Sequence, residues 1–288
     1  MYTIFSCPKE FSSLFGVIQR NAINSWLNLR PTPKIILFGI EDDEIKKEFD
    51  NENITFLPIK DFNEYKTPFI DKIFKTAMSL SNTNTLCYVN SDIILFNDFS
   101  STINILQKKN KLFGVGRRYN IEIDQIVKFD DENTEIKKYL SYAKIDSYTG
   151  SDYFIFDKNS IKNIPSFLIG RTCWDNWLMH YASKNELNLT DCTSDILCIH
   201  QKHDYSHIKT STNNHYKGIE REHNFKQLGG IDKLYDIRDS NFLLKNQKLK
   251  KNYSIESIFH KFLRKTKLLL LKETLYFKKK SLINFFSK

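Results

Sequence analysis

Short runs of branched and aromatic residues alternate along the chain with segments whose apolar residues recur every three or four positions. That alternation is the pattern of an α/β sheet with crossover helices. The first run, Tyr2–Phe5, predicts a strand. After Cys7-Pro8-Lys9 a helix carries Val17, Ile18, Ala22, Ile23 and Trp26, and Pro31 and Pro33 close it before a strand at Lys34–Phe38. A short strand is expected at Ile54–Leu57. Thr67-Pro68 then opens a helix through Ile70, Ile73, Phe74, Ala77, Met78 and Leu80, with the proline at its first position. Further strands are expected at Leu112–Val115, Tyr153–Phe156 and Ile196–Ile199, and a helix at Trp174–Ala182. There is no internal repeat or low-complexity linker, and no boundary before about Phe242.

The segment from Thr85 to Phe96 breaks the pattern. It reads as one apolar strand interrupted by Asn90-Ser91-Asp92. A central strand buried on both faces tolerates such an interruption where the polar side chains face a site at its carboxyl end, the place where open α/β sheets bind ligands. Asn90 and Asp92 alternate on an extended segment, so their oxygens can converge on one hard cation, Mg²⁺ or Mn²⁺, that bridges to substrate phosphates. The same residues also suit a turn or a helix cap.

The strand Leu86–Leu95 with Val89-Asn90-Ser91-Asp92 resembles the Asp-x-Asp region of GT-A fold glycosyltransferases, the nucleotide-diphospho-sugar transferase superfamily, where a strand end holds the metal of a nucleotide-sugar donor. Asn90 stands in place of the first Asp, so the resemblance implies metal binding mainly through Asp92, with Asn90 and Ser91 beside the donor. Tyr148-Thr149-Gly150-Ser151-Asp152 resembles the family's glycine-containing loop near sugar and acceptor. There Gly150 would let backbone approach a ligand, and Asp152 would accept hydrogen bonds from sugar hydroxyls beside Ser151; an ordinary turn is the alternative. Gly170-Arg-Thr-Cys-Trp-Asp-Asn-Trp-Leu-Met-His180 is similar to the family's Glu-Asp-type segment. That implies Asp175 as the base for the acceptor hydroxyl, with Trp174, Asn176 and Trp177 around the sugar. The alternative is an N-cap at Asp175 and two core tryptophans. In Ile199-His-Gln-Lys-His-Asp-Tyr-Ser-His207, His200 matches the histidine that completes the family's metal site; His203 and His207 are alternatives. A zinc site drawing on Cys192 and Cys198 ranks below this, because the cysteine spacing is irregular.

Arg117 and Arg118, after Gly116, and Arg20 are candidate diphosphate partners, since a guanidinium fork matches phosphate oxygens. Neither a Gly-x-Gly-x-x-Gly run, a Walker loop nor a Gly-x-Ser-x-Gly elbow is present, which argues against dinucleotide oxidoreductases, P-loop enzymes and α/β hydrolases.

Composition adds a compartment and a surface. With 288 residues, 41% of them hydrophobic, the chain can build a sizeable core in one or two domains. Five cysteines without a Cys-x-x-Cys pair argue for a reducing compartment, the cytosol. No signal-peptide pattern and no run near the ~20 apolar residues of a membrane span is present. The net charge of +9 is concentrated at one end: residues 245–288 hold 13 Lys and Arg against Glu256 and Glu273, leaving residues 1–244 slightly negative. In that tail Ile255, Ile258, Phe259, Phe262 and Leu263 form one face of a helix behind Ser254, with Lys261, Arg264, Lys265 and Lys267 among them. Leu268 to Leu271 and a mixed segment from Leu275 to Phe286 follow. Such a helix either lies on an anionic membrane or packs its apolar stripe on the body. No nucleic acid is expected, as no reading motif accompanies the charge.

The expected architecture is therefore α/β and GT-A-like, with a mostly parallel central sheet flanked by helices over residues 1–241 and a basic amphipathic helical extension over 242–288. The expected activity is transfer of a sugar from a nucleotide-diphosphate sugar to a hydroxyl acceptor, a glycan or lipid-linked one, in surface glycan or polysaccharide synthesis. It would be assisted by Mn²⁺ or Mg²⁺, would invert the anomeric centre, and would take place in the cytoplasm or at the inner membrane face. Two alternatives stand beside it: a sugar-nucleotide nucleotidyltransferase, although no glycine-rich basic loop follows the first strand, and a non-enzymatic membrane-surface adaptor.

Overall fold

A computed structural model describes residues 1–130, 134–203 and 218–266. In chain order its elements are β1 (Thr3–Ser6), α1 (Ser13–Leu27), β2 (Lys34–Phe38), α2 (Asp43–Glu48), β3 (Ile54–Leu57), α3 (Ile70–Leu80), β4 (Thr85–Val89), β5 (Ile93–Ile94), α4 (Asn97–Leu106), β6 (Leu112–Arg117) and β7 (Tyr119–Ile121). Then come α5 (Thr134–Leu140), β8 (Lys144–Ile145), β9 (Ser151–Asp157), α6 (Trp174–Lys184), β10 (Asn188–Asp191), β11 (Ile199–Gln201), α7 (Ile219–Leu228), β12 (Phe242–Lys245), β13 (Lys248–Lys251) and α8 (Ile255–Lys265).

Nine strands make one sheet in the order β13-β12-β10-β6-β9-β4-β1-β2-β3. Only β9 and β13 run against the rest. Alternate residues of each strand feed opposite faces, as the two-residue period requires. Ile4, Cys87, Val89, Tyr153 and Ile155 meet α1 and α4 through Trp26, Phe99 and Ile103 on one side. Phe5, Leu86, Tyr88, Phe154 and Phe156 meet α3 and α6 through Phe74, Trp174 and Leu178 on the other. This is the mostly parallel, helix-flanked α/β sheet expected from the sequence. A second sheet, β5-β11-β7-β8, covers a smaller core of Ile94, Ile121, Ile123, Val127 and Ile199.

Several elements differ from expectation. The run expected to continue as a strand to Phe96 turns instead at Asn90, where the Ile93 amide donates to the Asn90 carbonyl (3.2 Å), and α4 follows at Asn97. Pro68 does not open α3; it bridges Phe62 just before it. The strand expected at Ile196–Ile199 lies later, as β11. At the expected start of the extension, β12 pairs in parallel with β10 and so belongs to the central sheet. The β12–β13 hairpin turns through Asn246 and Gln247, both with positive φ, and their amides donate to the Asp195 carboxylate at 2.8 and 2.5 Å. His207 and everything beyond Thr266, including Lys267, the leucine run and the last aromatic segment, lie outside the described residues.

Candidate functional site

The polar interruption sits where the two sheets meet. β4 ends at Val89, paired with Tyr153, and the next backbone pair continues the ladder with the Asn90 amide donating to the Asp152 carbonyl at 2.9 Å. The turn then carries Asp92 over to β5, which pairs antiparallel with β11 so that His200 faces Ile93. A two-residue strand has little pairing of its own, so the turn is held from outside. Gln201, fully buried, donates its backbone amide to the Asp92 carbonyl at 3.1 Å and its side-chain amide to that carbonyl at 3.2 Å and to Ile18 at 2.9 Å. Its oxygen accepts from Asn21 (2.9 Å). Gln19 accepts from Ser91 (3.3 Å) and from the Lys9 amide (2.6 Å), which ties the loop after β1 to the same turn.

With the backbone fixed, the Asp92 carboxylate is left to its neighbours. His203 Nε2 lies 3.1 Å and His200 Nε2 3.6 Å from Asp92 Oδ2, and His200 is oriented by a 2.9 Å bond from Nδ1 to Asn120 on the adjacent strand. Burial pushes the Asp92 carboxyl up, but the two imidazoles outweigh it and hold the group well below the usual carboxylate range. Its other oxygen, Oδ1, is buried and has no hydrogen-bond partner among the described residues. One donor atom from each of Asp92, His200 and His203 lies within 4.8 Å of the others. A carboxylate and two imidazoles with an unused buried oxygen fit a divalent cation, and two nitrogen donors shift the preference from Mg²⁺ toward Mn²⁺ or a later first-row ion.

Asn90 is tied to a second carboxylate. Its Nδ2 donates to Asp152 Oδ1 at 2.6 Å, and Asp152 Oδ2 accepts from Arg118 at 2.6 Å, while the same guanidinium reaches Asp146 at 2.7 Å. An amide at position 90 is what the buried Asp152 carboxylate requires, because a second carboxylate there would face it at bonding distance. Arg118 is thus spent on two aspartates. Arg117 binds the Asp146 carbonyl and stacks on Tyr148, with 4.3 Å from its Cζ to the ring centroid. Arg20 forms a two-pronged pair with Glu48 at 2.7 and 2.8 Å. The three expected diphosphate partners are therefore engaged elsewhere. Gly150 serves packing against protein: a Cβ there would stand 2.9 Å from the Asp146 carboxyl group. Ser151 is buried with its hydroxyl unpartnered among the described residues.

At the start of α6, Cys173 takes a left-handed conformation (φ 87°) that swings Trp174 and Asp175 into their places. The expected sugar-binding surface of Trp174 and Trp177 is corrected here, because both rings are buried. Trp174 packs edge-on to Tyr88 (5.1 Å), and Trp177 stacks on Tyr181 (5.1 Å). Asn176 donates to the Tyr235 carbonyl (2.8 Å) and so has a tethering role. Asp175 is not the N-cap. One of its oxygens is buried without a partner among the described residues. Burial, with the Asp152 charge adding to it, pushes its carboxyl up to about 6 against the pull of the Asn176 amide and Arg118. Cys192 and Cys198 are core residues, and neither joins a metal-capable cluster among the described residues, which corrects the zinc alternative.

Two features were missed in the sequence. Lys9, in the loop after β1, lies within electrostatic reach of both Asp92 and Arg171 and stacks on Phe15, whose ring also touches that of His203. Its position past the carboxyl end of a central strand was the available signal. The second is a cluster of Asp236, Asp239 and His260. Asp239 accepts from His260 (3.1 Å), Arg264 (2.9 and 3.0 Å) and the Asp236 amide (3.0 Å), so its carboxylate is already satisfied.

No family model and no curated protein matches the chain. Among solved structures it is similar to S. aureus TarS 1-349, with a TM-score of 0.41 and 10% identity over 70% of this chain and 58% of that one. This chain thus spans little more than half the length of that relative. The same protein in complex with UDP-GlcNAc gives 0.47 and 8%, over 79% and 70% of the two chains. A Bacillus anthracis chain described as a glucose-1-phosphate thymidylyltransferase, in complex with a sucrose, gives 0.42 and 11%, over 69% and 89%.

Proposed function

We propose that the chain is a metal-assisted glycosyltransferase acting on a nucleotide-diphosphate sugar. The observation that carries the reading is the convergence of Asp92, His200 and His203 at the carboxyl end of β4, with a buried carboxylate oxygen left over. These three residues would hold the cation. When bound, it supplies positive charge against the leaving diphosphate. Lys9 would approach the same phosphates from the loop after β1, taking the part expected of Arg20, Arg117 and Arg118.

Asp175 would take the acceptor proton. With a pKa near 6 it is mostly ionised at neutral pH and still basic enough to receive a proton. The acceptor oxygen bonds to the anomeric carbon as the bond from that carbon to the diphosphate oxygen breaks. The electron pair leaves with the diphosphate, and the proton goes to Asp175. One base and direct attack invert the anomeric centre. The acceptor would be a hydroxyl on a glycan or lipid-linked glycan.

A panel of nucleotide sugars incubated with the full chain and Mn²⁺ tests this. Release of a nucleoside diphosphate, lost in Asp92→Ala, is the expected result. Release of pyrophosphate from a nucleoside triphosphate and a sugar phosphate would replace the reading with nucleotidyl transfer. No turnover by the intact chain over the whole panel would favour a non-enzymatic role.

A further inference from the structure

The helix at the end of the described chain docks with the face opposite to the one its composition suggests. Ser257, His260, Lys261 and Arg264, at i, i+3, i+4 and i+7, form the inward stripe of α8. Ser257 Oγ donates to the Arg238 carbonyl (2.7 Å), Lys261 to the Ser240 carbonyl (2.5 Å), and His260 and Arg264 meet the buried Asp239 carboxylate. Arg264 also lies over the Tyr235 ring at 4.1 Å. Ile255, Ile258, Phe259 and Phe262 form the other stripe and point outward, at 83%, 53%, 60% and 56% exposure. Tyr253, just before the helix, is exposed as well. A buried ion network therefore holds an apolar, aromatic ridge against solvent. Packing on the body, one of the two readings of the sequence, is corrected for Ile255, Ile258, Phe259 and Phe262, while Leu263, the fifth residue of the expected stripe, is half-buried.

We infer that this ridge is a docking surface for an anionic lipid bilayer. The charge of the same stretch of chain selects that occupant: between 242 and 266, Lys245, Lys248, Lys250, Lys251 and Lys265 are exposed, against the single exposed acid Glu256. Apolar side chains that enter the headgroup boundary, with lysines beside them for acidic lipid, make an interfacial element. None of the described helices is long and apolar enough to cross a membrane, so the contact is one that lies on the surface. The inference is independent of the active-site reading, and it would bring an acceptor embedded in the same surface to the enzyme.

The test is co-sedimentation of the full chain with phosphatidylcholine vesicles, with and without phosphatidylglycerol. The chain should bind the phosphatidylglycerol vesicles and bind them less at high salt. Phe259→Ser/Phe262→Ser should lower partitioning by about tenfold or more, with Tm and release of nucleoside diphosphate unchanged. Lys248→Gln/Lys250→Gln should weaken binding to the anionic vesicles specifically. Failure of the intact chain to bind anionic vesicles, or equal binding by the phenylalanine variant, would overturn the inference. So would a dimer in solution that the phenylalanine variant breaks while vesicles do not compete for it, since the ridge would then belong to a second copy. Absence of turnover by the intact chain, with its binding to anionic vesicles present, would count against the active-site reading alone.

Discussion

Asn90 and Asp175 show how single side chains are set by their neighbours. The Asn90 amide donates at 2.6 Å to a carboxylate already bound to Arg118. Asn90→Asp would place two carboxylates in contact and is expected to cost about 1–3 kcal/mol at neutral pH, with part of the loss recovered in acid; denaturant unfolding at two pH values reads it. Asp175 titrates near 6 because folding removes one of its oxygens from water. A carboxyl raised on folding favours its protonated form, so that contribution to stability is complete below about pH 4 and fades as pH rises through 6. Asp175→Asn should therefore stabilise the protein by about 1–2 kcal/mol at pH 8 and by nothing measurable at the acid end. The same substitution should remove the acid limb of the transfer rate and cost about 10²–10⁴-fold in turnover. That combination, a more stable and less active variant, separates a functional carboxylate from a structural one. At this scale the sequence was informative about which residues carry charge near the strand end. It was silent about which charges are already spent, because the pairing of Arg118 with Asp152 depends on β9 lying beside β6.

Among the elements, the small sheet is what makes the site. β5 is two residues long, and β11 is three; neither would persist without the buried amides of Asn21 and Gln201. Asn21→Leu would orphan the Val127 amide and the Gln125 carbonyl as well as Gln201. It is expected to destabilise by about 2–4 kcal/mol and to weaken Mn²⁺ binding, though it touches no donor atom; a thermal melt paired with a metal titration shows both. The strong periodicities were legible: α1, α3 and β4 appear where their apolar spacing puts them. α4 was hidden by its neighbours, since Leu95-Phe96 continues an apolar run although Phe99, Ile103 and Leu106 already repeat at helical spacing. β10 is four residues of mixed polarity, and only its place between β6 and β12 makes it a strand. For α8 the 3.6-residue period was plain, but the docking face was set by Asp239, 21 residues before His260, which no local pattern reports.

For the molecule as a whole, the sheet places one cation-fitting cluster at the carboxyl end of β4, and the ion network under α8 holds a second one closed. The proposed transfer requires the first of these to be a metal site. Mn²⁺ titrated into the full chain and followed by the loss of its free electron paramagnetic resonance signal tests that directly. One saturable site is expected in the intact protein; it should vanish in Asp92→Asn, weaken in His203→Gln, and persist in Lys9→Ala, where only the donor's KM should rise. Binding that survives Asp92→Asn unchanged, or no binding by the intact chain, would contradict it.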